Sequence, residues 1–216
     1  MERIPLLAFI NMHTKTLAPQ TKAVLDTIKT VPEIQTFYLS GGTALALHLG
    51  HRESEDLDFF TKRNFEPLIL QEKLAKLSPL EDVTVAEGTL NAFFKYVKLQ
   101  FLKYPYDLVE PLIQWNGVYL SPVIDIACTK LITVSMRGSK KDFIDLYVIL
   151  QHTNFEELFR KMEIKYKNVD YNVPSILKSL TYFKDAESQP MPKMHIPLDW
   201  ERVKRFFMQE VRKITF

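Results

Sequence analysis

Gly41-Gly42-Thr43 lies between an apolar run ending at Leu39 and an apolar run continuing to Leu49, and Asp56-Leu57-Asp58 follows after a short polar segment. A glycine turn at the start of a helix offers unpaired backbone N–H groups to a phosphate. Two carboxylates at i and i+2 of a strand project to the same side, roughly 6–7 Å apart at about 3.3 Å of rise per residue. That separation suits two acids gripping one divalent ion or bracketing a pair. Oxygen-only ligands favour magnesium, with manganese as the substitute. Together the two motifs describe a site for a metal–nucleotide complex.

Neither motif decides the matter alone. The turn lacks the Gly-x-x-x-x-Gly-Lys-Ser/Thr of a P-loop and the three spaced glycines of a dinucleotide fold. The acidic pair could be the solvated face of an edge strand, although two like charges on one strand face repel and a divalent cation removes that penalty. Further along, Lys130, Thr133 and Arg137 share one helix face by their i, i+3, i+7 spacing. Lys141 and Asp145 are four apart and Asp142 and Asp145 three apart, which describes a salt-bridged helix surface. The same residues could instead give Lys130 a phosphate and make Asp142 an active-site acid or an anchor for one. Arg52 either anchors its loop or touches a phosphate. Glu53 and Glu55 read as solvated loop charges, and His48 and His51 as structural or incidental.

The elements that must position these residues follow from periodicity and punctuation. Thr16 can cap a helix carrying Leu17, Val24, Leu25 and Ile28 that stops near Val31-Pro32. Residues 36–39 read as a short buried strand, 43–49 as an enclosed helix stopped by Gly50, and 56–60 as a strand with Leu57 and Phe59 towards a core. A helix over 66–78 and strands over 83–86, 92–96 and 97–102 come next, the last with Val97, Leu99 and Phe101 on one side. Ser121-Pro122 opens a helix that runs to Arg137 and ends at Gly138. Ser139 caps a second through about Leu150, and the two form a hairpin. Asn154, Asn172 and Asp199 open three more helices. The last is basic, with Arg202, Lys204, Arg205, Arg212 and Lys213 among aromatics, which describes a solvated face over an aromatic core or an RNA-backbone contact.

A chain of 216 residues, 46% hydrophobic and 25% charged, has enough apolar mass for one sizeable core. The net charge of +2 gives no strong global field, so any nucleic-acid contact must come from a local patch. Cys128 is the lone cysteine, which excludes a disulfide framework and points to a reducing, cytoplasmic setting. Residues 4–10 are apolar but lack a small-residue cleavage pattern, so a signal peptide is not expected. No apolar stretch is long enough for a membrane span.

Four blocks taken in order are recognisable: Tyr38-Leu-Ser-Gly-Gly-Thr-Ala-Leu-Ala-Leu; Arg52-x-Ser54-x-Asp56-Leu-Asp58-Phe-Phe; Asp125-x-x-x-x-Lys130; and Arg137-Gly-x-x-Lys141-Asp142-Phe-x-Asp145-Leu. Across roughly 36–150 the chain resembles the abortive-infection (AbiE-type) toxin nucleotidyltransferases, a branch of the polymerase-β-like superfamily. The resemblance implies an α+β (mixed α/β) fold: a small mixed sheet flanked by helices, with a helical C-terminal part. Residues 1–152 would form the nucleotidyltransferase-like core and 153–216 a helical extension of the same domain. It also implies magnesium-dependent transfer of a nucleotide from a nucleoside triphosphate to an acceptor hydroxyl, such as that at the 3′ end of transfer RNA, with a cognate antitoxin as a further partner. By the same likeness Asp56 and Asp58 bind the metal. Gly42 and Thr43 cradle the triphosphate, and Ser40, Gly41, Arg52 and Lys141 are further candidates for contact with the nucleotide. Lys130 stabilises charge on the phosphates, and Asp142 is the later acid, supported by Lys141 and Asp145.

One departure stands out. The wider superfamily places a third carboxylate on a later strand, and here residues 97–102 offer Lys98 and Gln100 on their polar side. An amide can coordinate a cation but cannot act as a general base. The alternatives to the transferase are therefore a non-catalytic nucleotide- or RNA-binding module on the same fold, or a phosphotransferase acting on a small molecule.

Overall fold

The computed structural model describes residues 11–214; the signal-peptide expectation on residues 4–10 lies outside them. Seven strands form one mixed sheet: Tyr38–Leu39 (β1), Leu57–Thr61 (β2), Leu80–Ala86 (β3), Thr89–Phe94 (β4), Val97–Lys103 (β5), Ile113–Trp115 (β6) and Val118–Leu120 (β7). Their order is β3-β4-β5-β2-β1-β7-β6. The centre holds two parallel pairings, β2 with β5 and β1 with β7, while β1 and β2 run antiparallel. Period-2 alternation sets the faces: Leu57, Phe59, Val97, Leu99 and Phe101 are buried, while Asp58 and Gln100 lie on the other face as direct register partners. Each such fully buried side chain contributes about 1.5–3 kcal/mol of transfer free energy.

The helices are Pro19–Ile28 (α1), Gly41–Leu49 (α2), Pro67–Ala75 (α3), Val123–Met136 (α4), Lys140–Ile149 (α5), Phe155–Lys165 (α6), Val173–Ser179 (α7), Lys184–Glu187 (α8) and Trp200–Arg212 (α9). α2 packs on β2, α4 and α5, and α4 in turn carries α5, α6 and α7. One hydrophobic cluster runs from Leu17 through the sheet to Val203 and Phe207, so α6–α9 share the core of the preceding elements. The expected caps hold at Ser139, Asn154, Asn172 and Asp199, where each side chain accepts a first-turn backbone N–H; such caps contribute about 1 kcal/mol apiece. On α9, Trp200, Val203 and Phe207 are buried, and Arg202, Arg205, Arg212 and Lys213 face solvent.

Several boundaries differ from the sequence reading. Thr16 caps nothing: it ends a 3-10 turn and donates its hydroxyl to the His13 carbonyl at 2.6 Å, and α1 starts at Pro19. Thr36 belongs to another 3-10 turn, so β1 is only two residues long. The N-cap of α4 is Pro122, not Ser121. The β6–β7 hairpin escaped the sequence reading because its strands are three residues each, too short for a period to declare itself.

Candidate active site

The polar face of β2 and β5, the turn into α2 and the near side of α4 enclose a cleft of about 500 Å³. Gly41, Gly42, Asp56 and Asp58 line one wall, and Lys98 and Gln100 continue it along the sheet. Thr129, Lys130, Thr133 and Arg137 line the opposite wall with Asp142, while Phe60, Leu102, Tyr104, Ile126, Ile132 and Met136 make an apolar flank.

The turn and the acidic pair are built against each other. Gly41 has φ +63°, and a Cβ placed on it would lie 2.2 Å from Asp58 Oδ2. The site therefore needs glycine here twice over, for the left-handed backbone and for the space. Gly42 is needed for a different neighbour, since its Cβ would lie 2.5 Å from Arg52 Nη2. The first backbone bond of α2 runs from Ala44 N–H to the Ser40 carbonyl, and Ser40 makes no side-chain cap, so the preceding first-turn amides lack an intrahelical partner. Asp56 precedes β2 rather than lying in it; its carbonyl accepts from the Thr43 hydroxyl, whose oxygen is also hydrogen-bonded with Ser54 Oγ at 2.8 Å. Ser40 and Thr43 are buried, and the Thr43 side chain fastens α2 to the Asp56 backbone instead of facing the cleft.

Behind the cleft lies a buried ionic network centred on Asp145. Its carboxylate accepts from Arg52 Nε at 2.7 Å, Arg52 Nη2 at 2.8 Å and His51 Nε2 at 2.8 Å, and pairs with Lys130 Nζ at 2.7 Å. Burial alone would raise the Asp145 carboxyl, but Arg52 and Lys130 outweigh it and hold it well below the usual carboxylate range. Lys130 Nζ also donates to Asp142 Oδ1 at 2.7 Å. Asp142 Oδ2 accepts from Ser139 Oγ at 2.5 Å and from Arg137 Nε at 3.3 Å. Burial works against the Lys130 ammonium, yet Asp145 and Asp142 together raise it, so it stays charged. Burial lowers His51, keeping it neutral, and among the described residues its Nδ1 has no hydrogen-bond partner.

The sequence reading is corrected at Arg52. The open choice between anchor and phosphate ligand resolves in favour of the anchor: the guanidinium is 2% exposed, bidentate on Asp145, and outside the cleft lining. Lys141 is exposed and lies outside the lining as well, because α5 turns Asp142 and Asp145 inward and Lys141 outward. Glu53, read as solvated, pairs with Lys193 at 2.6 Å and His195 at 3.5 Å. His48 donates Nε2 to the Ser121 carbonyl at 2.9 Å, a structural contact. Lys98 was legible from the alternation of β5; Phe60, Tyr104, Ile132 and Met136 were not, since apolar residues at helix or strand spacing carry no sign of which face a cleft occupies.

The donor set fits a hard divalent cation. Among the described residues the carboxylates of Asp56 and Asp58 make no hydrogen bond or ion pair to protein, and Gln100 stands beside Asp58 in register. Burial, then the Asp56 charge, raises the Asp58 carboxyl. Lys130, Lys98 and Arg137 offset part of this from a distance, and a cation bound directly by the two acids would relieve the rest. Among the described residues no group of three or more His, Cys, Asp or Glu side chains is placed to hold an ion. Any further ligands would therefore be amide, water or phosphate oxygens.

The family described as "Nucleotidyl transferase AbiEii toxin, Type IV TA system" matches residues 23–216. The protein aq_aa25 of Aquifex aeolicus (strain VF5), named as uncharacterized, is 34% identical over 203 residues, covering 91% of this chain and 97% of that one. The fold is similar to that of MenT4, the nucleotidyltransferase toxin Rv2826c from Mycobacterium tuberculosis H37Rv, with a TM-score of 0.57 at 15% identity over 98% of this chain and 91% of that chain. JHP933 from Helicobacter pylori gives a TM-score of 0.51 at 18% identity over 91% and 92%. Cleft, acidic pair and family match agree, and the chain belongs to the AbiEii family of nucleotidyltransferase toxins.

Proposed function

We propose that the protein transfers a nucleotide from a nucleoside triphosphate to an RNA hydroxyl, such as the 3′ end of a transfer RNA, in a magnesium-dependent reaction. Manganese would serve in magnesium's place. The observation that carries this reading is the meeting, in one cleft, of the Gly41-Gly42 turn, the two unpaired acids Asp56 and Asp58, and the Lys130 ammonium. Asp56 and Asp58 would hold the ion, which supplies charge neutralisation on the phosphates. The turn presents its amides to phosphate oxygens, and Lys130, kept charged by Asp142 and Asp145, adds a fixed positive group. In the reaction the acceptor oxygen bonds to the α-phosphorus, the bond to the β-phosphate oxygen breaks, pyrophosphate leaves and the hydroxyl proton is released. Lys98 and Arg137, both exposed at the rim, give an RNA strand its local positive contacts.

The family match supports a cognate antitoxin as the partner that restrains the activity. No helix among the described residues is long and apolar enough to cross a membrane, and the buried thiol of Cys128 agrees with a cytoplasmic setting.

Incubating the protein with each α-labelled triphosphate and total RNA tests the reading. Label should enter RNA with the wild type, and vanish with EDTA, with Asp56→Ala and with Asp58→Ala. Transfer of γ-label to a small molecule would establish a phosphotransferase instead. The amide at position 100 favours a second reading, a binding module without turnover; nucleotide binding with no label transfer under any acceptor would establish that one.

A further inference from the structure

Strands β4, β5 and β2 are adjacent, and their registers align Asn91 with Gln100 and Gln100 with Asp58. The three side chains thus form a polar row across the sheet, of which Gln100 and Asp58 line the cleft and Asn91 does not. The amide nitrogen of Gln100 donates to Asn91 Oδ1 at 3.0 Å. A glutamine amide has one donor end and one acceptor end. With the donor end held on the Asn91 side, the acceptor oxygen is left for the Asp58 side. The opposite orientation would aim an NH2 group at the Asp58 carboxylate and hydrogen-bond the very oxygen that a cation needs. No such bond is present among the described residues: Asp58 accepts nothing from Gln100.

We infer that the Gln100 carboxamide oxygen is a third, uncharged ligand of the divalent cation held by Asp56 and Asp58, and that Asn91 is the positioning residue that fixes the amide in this sense. The inference rests on the metal-dependent reading of the cleft. Its chemical consequence concerns how the ion arrives. Two carboxylates and an amide carry two negative charges, enough to neutralise one divalent ion and no more. Magnesium already keeps waters and binds largely through substrate phosphates. The free protein therefore holds the ion weakly, and tight binding requires the triphosphate, whose own oxygens complete the shell.

The test is a titration with Mn2+ followed by electron paramagnetic resonance, run without nucleotide and with each of the four α,β-methylene nucleoside triphosphates. Wild type should bind Mn2+ weakly alone and much more tightly with one or more analogues, and Asp58→Ala should lose both. With analogue present, Gln100→Leu should weaken Mn2+ binding about tenfold or more, and Asn91→Leu should do the same from outside the cleft, the range typical of residues that orient metal ligands. Asn91→Asp keeps an oxygen acceptor for the Gln100 amide and should bind at least as tightly as wild type. Gln100→Glu should bind Mn2+ without nucleotide about tenfold more tightly or better, since it adds a charged oxygen. If Gln100→Leu and Asn91→Leu both bind as wild type while Asp58→Ala does not, the amide plays no part and the inference is overturned with the metal site intact. If wild type and Asp58→Ala are indistinguishable, the metal-dependent reading itself is wrong. Gln100→Glu and Asn91→Asp are nearly isosteric, so the outcome does not hang on the leucine variants folding.

Discussion

The Asp58 carboxylate lies so close over Gly41 that a single added carbon on the glycine would meet Oδ2 at 2.2 Å. The glycine turn and the acidic strand thus define each other's position. Gly41→Ala should displace Asp58 and strain a backbone held at φ +63°. We expect kcat/KM to fall about 100-fold, the scale of a small misplacement of a reacting group, with a loss of about 1–2 kcal/mol in stability from the left-handed conformation. Steady-state kinetics alongside denaturant unfolding would separate the two effects. Full activity in a folded variant would show that Asp58 need not sit where it does.

Asp145 is a structural keystone whose loss should be felt at the fold before the chemistry. Asp145→Ala leaves Arg52, Lys130 and His51 buried without their shared acceptor. Breaking a buried pair from one side costs about 3–5 kcal/mol, readable as a lower denaturant midpoint. Because Asp145 is held well below the ordinary carboxylate range in the fold, its contribution is fully present above the unfolded value of about 4 and is lost as pH falls towards the folded value. Stability should therefore decline below about pH 4, and Asp145→Asn should flatten that decline. An unchanged acid limb in Asp145→Asn would assign it to other carboxylates.

Asp58 behaves in the opposite sense. Burial and Asp56 raise its folded pKa, so its contribution is fully present below the unfolded value of about 4 and is lost as pH rises through the folded value. Above that value the ionised carboxylate costs the fold stability. Asp58→Asn should abolish nucleotide transfer yet raise stability by about 1 kcal/mol, or about 2–4 °C in Tm. Saturating Mg2+ and nucleotide should stabilise wild type but not this variant. A melting point that drops on Asp58→Asn would contradict the electrostatic account.

Arg137 caps the outer side of Asp142 at 3.3 Å while remaining 70% exposed on its side chain. Only the Arg137 side of the pair is exposed, and the buried Asp142 keeps Lys130 and Ser139 as partners, so Arg137→Ala should cost no more than about 1 kcal/mol in unfolding. Its position at the cleft rim predicts instead about a tenfold rise in KM for nucleotide or RNA, growing smaller at high salt. Salt-independent kinetics would place the residue outside the substrate path.

Local signals were legible wherever one residue's chemistry settles its own backbone. Ser139, Asn154, Asn172 and Asp199 announced their helices because their side chains bond the next turn. The alternation of residues 97–102 announced that Gln100 would share a face with its polar neighbours. Thr16 misled because a hydroxyl that can cap a helix can equally close a 3-10 turn onto His13. Arg52 and Lys141 misled for a related reason: a cation near an acidic motif looks the same in sequence whether it faces a substrate or a buried aspartate.

The order of residues alone determined that two acids follow a glycine turn, that a lysine and an acidic helix come later, and that the amide at 100 lies on the polar side of its strand. Those facts depend on spacing within a few residues, where strand and helix geometry fix direction. Only the tertiary structure decided that Gln100 stands beside Asp58, that Asn91 holds its amide, and that Arg52 reaches across 93 positions to Asp145. Such pairings depend on strand order and helix packing, which arise from burying the whole core at once and leave no mark at either residue taken singly.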